Sequence, residues 1–225
     1  MNNDLIDFLK TNKKNNWKPS LPLPSNLWQS DWPWAPIICD IDFDEIVKEM
    51  DLIDHFFVPH REKDQHKSYR HQGWNALTLH GIDYDKTENY DRYGFASQEA
   101  AGYEWTTVCK LIPKTIDFIQ SLPFKNYGRI RIMRLSPGGY VMPHTDGNGR
   151  IFGPFNIALT NPKGCEFVFE NRGVVPFEPG RGFLLDLGIK HCVVNDSQEY
   201  RYHIIVHGEA KDDINYHIER SIGLL

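Results

Sequence analysis

Between residues 129 and 207 the chain carries a series of short segments rich in β-branched and aromatic residues. They are RIRIMRL (129–135), FNIAL (155–159), CEFVFE (165–170), GFLLDL (182–187), HCVVN (191–195) and YRYHIIVH (200–207). Clusters of turn-forming residues divide them: Ser136-Pro137-Gly138-Gly139, Asn161-Pro162-Lys163-Gly164 and Glu178-Pro179-Gly180. A segment this short cannot bury its apolar face alone, so the series must close on itself. The spacing predicts a mostly β fold, a small antiparallel barrel or jelly roll.

Upstream the pattern changes. Residues 17–36 mix prolines with Trp17, Trp28, Trp32 and Trp34, which predicts an extended arm pinned by aromatic anchors. Asp42 and Glu45 form a capping-box pattern; Ile46, Met50, Ile53 and Phe57 share one face, and Pro59 stops the helix they predict. Residues 59–81 crowd His60, His66, His71 and His80 among basic residues and read as a solvated loop, with a substrate lid as the second reading. A further helical segment is expected over Thr107–Leu122, kinked or reopened by Pro113 and closed by Pro123. The polar tail ends in Ile222-Gly223-Leu224-Leu225 and is expected to dock on the core or on a neighbouring subunit. The expected organisation is a supporting region at 1–125, a catalytic jelly roll at 126–208 and a tail at 209–225. With 225 residues, 40% of them hydrophobic, these form one globular unit.

Several function classes are excluded by charge and composition. A formal charge of −5 with no long basic run offers no field for a phosphate backbone, so nucleic acid is not an expected partner. Cys39, Cys109, Cys165 and Cys192 lie far apart without C-x-x-C spacing, which fits reduced thiols in the cytoplasm better than zinc or disulfides. No stretch approaches the ~18 apolar residues of a membrane span, and the first residues lack the apolar core of a signal peptide. An oligomer is possible but not indicated.

The pattern H-x-[DE] occurs at His60/Glu62, His144/Asp146, His207/Glu209 and His217/Glu219. With 10 His and 30 acidic residues the motif alone selects none of them. Context favours His144/Asp146, which follows a strand and opens a glycine-rich loop at the mouth of the expected barrel. His191 then starts a later strand, and Arg201 sits in the next. Two imidazoles and one carboxylate on one face of a metal suit non-haem Fe(II), which must keep positions open for other ligands. Alternation along 200–207 puts Arg201, His203, Ile205 and His207 on one face. If that face points inward, Arg201 is a buried cation whose natural partner is a ligand carboxylate. Each residue also has a plainer reading: His144 as a turn cap, Asp146 as an Asx-turn into Gly147, His191 as a satisfied core histidine. A jelly-roll protein that binds a metal or small acid without turnover is the rival class.

From Arg129 to His207 the chain resembles the aspartyl/asparaginyl β-hydroxylase family of Fe(II)- and 2-oxoglutarate-dependent dioxygenases, with a cupin-like double-stranded β-helix fold. Its ligand layout is similar to that of the bacterial L-proline cis-4-hydroxylases. The match is carried by Ser136-Pro137-Gly138-Gly139, His144-Thr145-Asp146, Pro162-Lys163-Gly164-Cys165, Glu178-Pro179-Gly180, Asp186, His191, Asn195 and Arg201. The resemblance implies that His144, Asp146 and His191 bind Fe(II) and form the catalytic centre. It implies that Arg201 holds the distal carboxylate of 2-oxoglutarate, that Asn156 lies near the metal-bound end, and that dioxygen is the second cosubstrate. The large animal members have Gly where this chain has Asp146, and an Arg near the position of Pro154; both departures point away from aspartyl hydroxylation. The expected substrate is a free amino acid or another small polar molecule, with Asp, Asn or Pro side chains in a peptide or protein as the alternative. Arg70, Trp74 and Arg134 are candidate substrate contacts, His203 and His207 are expected as barrel or rim residues, and Cys192 should point away from the metal.

Overall fold

The structure is a computed structural model that describes residues 3–39, 41, 43–61, 70–146 and 152–224. In chain order its regular elements are α1 (Asn3–Asn12), β1 (Trp34–Ile38), α2 (Phe43–Ile53), β2 (Val58–Pro59), β3 (His71–Gly81), α3 (Gln98–Ala101), β4 (Glu104–Trp105) and α4 (Pro113–Ser121). There follow β5 (Phe124–His144), β6 (Phe152–Ala158), β7 (Cys165–Phe169), β8 (Gly173–Val174), β9 (Arg181–Asp186), β10 (His191–Asn195), β11 (Arg201–Ala210) and α5 (Ile214–Ile222).

β5 organises the fold because it changes partners along its length. Its first part pairs with β11, from Ala210↔Phe124 to Arg201↔Leu135, and its last part pairs with β10, from Val194↔Tyr140 to His191↔His144. The first pairing continues as β5-β11-β6-β9, the second as β5-β10-β7-β8, all antiparallel. Two four-stranded sheets that share a strand and face each other make a double-stranded β-helix, as expected.

The Ser136–Gly139 cluster is not the strand-ending turn that its composition predicts. It lies inside β5, where the ladder to β3 shifts register between Gln72 and Trp74. Turn chemistry serves equally well for a bulge, which bends a strand without ending it. A Cβ at Gly139 would lie 2.7 Å from the Ser136 carbonyl oxygen, and Gly73, at φ +68°, meets Ser136 at 2.9 Å. The bend therefore requires glycine on both strands.

Residues 71–81 also depart from the expectation of a solvated loop. They form β3 along the free edge of β5, with Ala76, Leu77, Thr78 and Leu79 all buried. His60 is 1% exposed: its Nδ1 lies 2.9 Å from Thr87 Oγ1 and its Nε2 3.3 Å from Arg131 Nη1. Residues 62–69, including His66, and the proposed capping residue Asp42 fall outside the described residues. Part of the Trp-rich arm is a strand as well, β1, which extends the sheet beside β9. Trp17, Trp32 and Trp34 form the expected anchor, with centroids 5.5 and 4.8 Å from Trp17, whereas Trp28 stays 44% exposed.

Helices α2 and α4 cover the outer face of the β5–β11 sheet. Ile46, Met50 and Ile53 of α2 pack with Phe118 and Ile119 of α4 and with Ile132 and Ile204 beneath them. α2 ends at Ile53, before Phe57, which is buried beyond a 3-10 turn. Pro113 opens α4 at its first turn, where a missing N–H costs nothing. The start of α4 is capped from α2: Glu49 accepts from the Lys114 and Thr115 amides at 3.0 and 2.8 Å and from Thr115 Oγ1 at 2.7 Å. The C-terminal segment docks on the core of its own chain: Ile214 and Ile218 are buried, and the Ile38 amide donates to Ser221 Oγ at 2.9 Å. All four cysteines are free, and among the described residues no helix is long and apolar enough to cross a membrane.

Candidate metal centre

His144 ends β5, His191 starts β10, and the two are direct partners in the ladder. Asp146 lies two residues past the end of β5, its amide donating to the Leu187 carbonyl at 3.0 Å. One ligand atom from each of the three residues lies within 4.8 Å of the others, the one such cluster among the described residues. Both imidazoles are buried, while the Asp146 side chain is 37% exposed at the rim.

Tautomers follow from the hydrogen bonds. His144 Nδ1 lies 2.8 Å from the Met142 carbonyl and His191 Nδ1 2.8 Å from the Ile189 carbonyl. A carbonyl only accepts, so each Nδ1 carries the proton and each Nε2 presents a lone pair. This is the orientation that metal-binding histidines require. With the ring neutral, His144 Nε2 faces Asp146 Oδ1 at 3.1 Å as lone pair to carboxylate, a repulsion that either a shared proton or a bound metal cation removes. Burial, followed by the neighbouring His144, lowers the His191 pKa to about 4, so its lone pair is free at neutral pH. Burial tends to raise the Asp146 carboxyl, but the hydrogen bond with His144 and the nearby imidazoles outweigh it and hold the pKa at about 2. The donor set fits a divalent metal: two neutral nitrogens and one anionic oxygen. The ring of Phe167 stacks on His191 at 5.1 Å and 15° and fixes it further.

The three residues open into a cavity between the sheets whose lining also includes Trp74, Met133, Leu135, Phe167, Ile205 and Arg201. The predicted inward face of β11 is correct. Arg201 is 7% exposed; its Nε donates to Asn161 Oδ1 at 3.3 Å and its Nη2 to His203 Nδ1 at 3.1 Å, with Phe177 beneath the guanidinium at 5.6 Å. Among the described residues no carboxylate pairs with it, and burial pushes its pKa from 12.5 to about 10. Asn156 lines the same cavity, its Nδ2 donating to the Pro154 carbonyl at 3.1 Å.

His203, expected as a barrel or rim residue, lines the same cavity. Because Nδ1 accepts from Arg201, the proton of the neutral ring sits on Nε2, which is buried and has no partner among the described residues. Burial and the adjacent Arg201 hold its pKa well below 6.5. The available signal was its place two residues after Arg201. Of the candidate substrate contacts, Trp74 lines the cavity; Arg70 is exposed, and Arg134 is engaged with Asp54 and with the rings of Phe57 and Tyr200. Cys192 lies in the core, off the cavity lining as expected. Asn195 is structural: its Nδ2 donates to the carbonyls of Leu135, Ser136 and Glu199.

A double-stranded β-helix with a His-x-Asp…His set at its mouth and an arginine inside defines the class of 2-oxoglutarate-dependent hydroxylases. Within it, the sequence profile of the family described as Aspartyl/Asparaginyl beta-hydroxylase matches residues 41–210, and the chain belongs to that family. No curated protein matches the chain in sequence. Among solved structures, it is similar to a viral collagen prolyl hydroxylase from Paramecium Bursaria Chlorella virus-1, at 15% identity and TM-score 0.42, covering 79% of this chain and 96% of that one. A prolyl-4-hydroxylase from Pseudomonas putida follows at 14% identity and TM-score 0.44, covering 80% and 93%. A Trichoplax adhaerens prolyl hydroxylase, solved with a hypoxia inducible factor peptide fragment, gives 13% identity and TM-score 0.47, covering 99% and 91%.

Proposed function

We propose that His144, Asp146 and His191 bind Fe(II), that Arg201 anchors the distal carboxylate of 2-oxoglutarate, and that the protein hydroxylates a free amino acid or another small polar molecule. The observation that carries this reading is the pair of buried imidazole Nε2 atoms beside a carboxylate, lining one cavity with a buried guanidinium that has no carboxylate partner among the described residues. When bound, the iron supplies oxidative decarboxylation of 2-oxoglutarate to succinate and CO2 with transfer of one oxygen atom from O2 to a C–H bond. The chain's residues supply position. Arg201 offers two parallel N–H donors to a carboxylate, and His203 Nε2–H adds a neutral donor beside it. Asn156, which lines the same cavity, would contact the metal-bound end of the cosubstrate. Met133, Leu135, Phe167 and Trp74 keep the cavity apolar, which restricts water near a reactive centre.

The metal-binding jelly roll without turnover has no comparable use for a buried arginine at the end of the cavity. A small-molecule substrate, and neither nucleic acid nor membrane as partner, fits the acidic net charge. The reading is tested by succinate release from Fe(II), 2-oxoglutarate and O2 in the presence of amino acids, peptides and other metabolites, with mass spectrometry of any product. Absence of stimulation by every compound would favour the binding-protein reading.

A further inference from the structure

A second cavity, of about 460 Å³, meets the Arg201 cavity at Asp146 and Leu187. Its lining includes Arg61, Arg129, His207, Phe124 and Pro154, and Asp146 is the one acid among its described lining residues. Arg129 Nε and Nη1 are buried and have no hydrogen-bond partner among the described residues. Two unengaged guanidinium nitrogens away from water are costly unless an acceptor arrives. Tyr103, Tyr93 and Glu88 lie near Arg129 but offset its burial only in part.

His207 reports the sign of the local field. Burial, then Arg131 and Arg129, push its pKa down to about 3, so the ring is neutral, and its buried Nε2 also lacks a partner. His207 lies six residues after Arg201 on the same face of β11, roughly 20 Å away at the usual strand rise. A five-carbon diacid held at Arg201 cannot reach it. The metal-ligand cluster adjoins both cavities, one ending in a single buried cation and the other bearing a cationic wall.

We propose that the second cavity receives the primary substrate and that this substrate is a small oxyanion, a carboxylate, phosphate or sulfate, held by Arg129 with His207 beside it. The inference rests on the oxygenase reading, which gives the Arg201 cavity to 2-oxoglutarate. It favours a free acid over an internal Asn or Pro residue of a peptide, which carries no such charge.

The test uses the full chain loaded with Mn(II) and 2-oxoglutarate under nitrogen, where no turnover occurs. Calorimetric titration is run with L-amino acids, dicarboxylates, phosphate monoesters, inorganic phosphate and sulfate, each organic acid beside its amide or neutral counterpart. The separate arms distinguish carboxylate from phosphate and sulfate. At least one oxyanion should bind saturably, at least about 10-fold more tightly than its neutral counterpart. Arg129→Gln should weaken that binding at least about 10-fold, Arg129→Lys should recover part of it, and 2-oxoglutarate affinity should stay within about twofold in both variants. No saturable oxyanion, equal binding of acid and neutral counterpart, or unchanged binding in Arg129→Gln with 2-oxoglutarate binding intact would overturn the proposal. Failure of 2-oxoglutarate itself to bind in the loading step would instead overturn the oxygenase reading beneath it.

Discussion

Replacing Arg201 with methionine should separate what this residue does for folding from what it does for 2-oxoglutarate. Burial takes the guanidinium from a pKa of 12.5 to about 10, equivalent to ~3 kcal/mol against the charged form. The charge persists at neutral pH, so in the ligand-free protein that cost falls on the folded state. It is offset by the hydrogen bonds to Asn161 and His203, about 1 kcal/mol each. Methionine keeps the length and removes the charge, so ligand-free Arg201→Met should be as stable as the parent or more stable by up to ~2 kcal/mol. For a chain of this size that is a rise of up to roughly 8 °C in Tm. Binding should move the opposite way: deleting one partner of a buried charged pair costs about 2–5 kcal/mol, or about 30- to 5000-fold in 2-oxoglutarate affinity. The assay is thermal unfolding with Mn(II), with and without millimolar 2-oxoglutarate. The parent should gain stability with ligand and the variant should not. A ligand-free variant destabilised by more than ~2 kcal/mol would make Arg201 a structural residue, and a ligand-dependent shift that survives the substitution would refute its role as the anchor.

Further outcomes follow from the same geometry. His144→Ala and Asp146→Ala should each weaken Fe(II) binding by at least about 100-fold, measured by metal content after equilibrium dialysis; unchanged stoichiometry would sink the ligand assignment. The pKa values of His60 and His203 are held well below 6.5 and that of His207 at about 3, so the unfolded chain binds protons that the folded one refuses. His191, held at about 4, adds a fourth such ring in the metal-free protein, whose stability should be full above pH ~6.5 and fall by on the order of 5 kcal/mol between pH 7.5 and 5.5, read from urea midpoints; a flat profile would show that these rings are not buried neutral. Glu49→Gln turns an acceptor facing two amides of α4 into a partial donor and should cost about 1–3 kcal/mol, with Fe(II) binding retained.

The strands that build the two sheets were legible because they are short, β-branched or aromatic-rich segments divided by clusters of turn-forming residues. β3 was not. HQGWNALTLHG places buried residues consecutively at 76–79, a pattern left by cover on both faces, and its histidines made it look like the charged loop beside it. Ser136–Gly139 was misread for a different reason: a bulge and a turn ask for the same residues, and only the pairing of β5 with β3 and β10 tells them apart. The contacts of His60 with Thr87 and Arg131 join distant parts of the chain, so no local pattern could announce them. His144, Asp146, His191 and Arg201 were singled out by loop context, by the resemblance and, for Arg201, by strand alternation; in the structure all four line one cavity.

The bulge and the metal ligands are parts of one device. The register shift at Ser136–Gly139 falls where β5 passes from β11 to β10, just ahead of the pairing that sets His144 opposite His191. Once opposite, each histidine donates Nδ1–H to the carbonyl two residues before it, so one local geometry sets both tautomers. Metal and protons compete for the same lone pairs, and burial decides the competition at neutral pH by keeping His191 deprotonated. What remains is two lone pairs and a carboxylate in close approach, a concentration of electron density that a divalent cation relieves and that a neutral core would not retain.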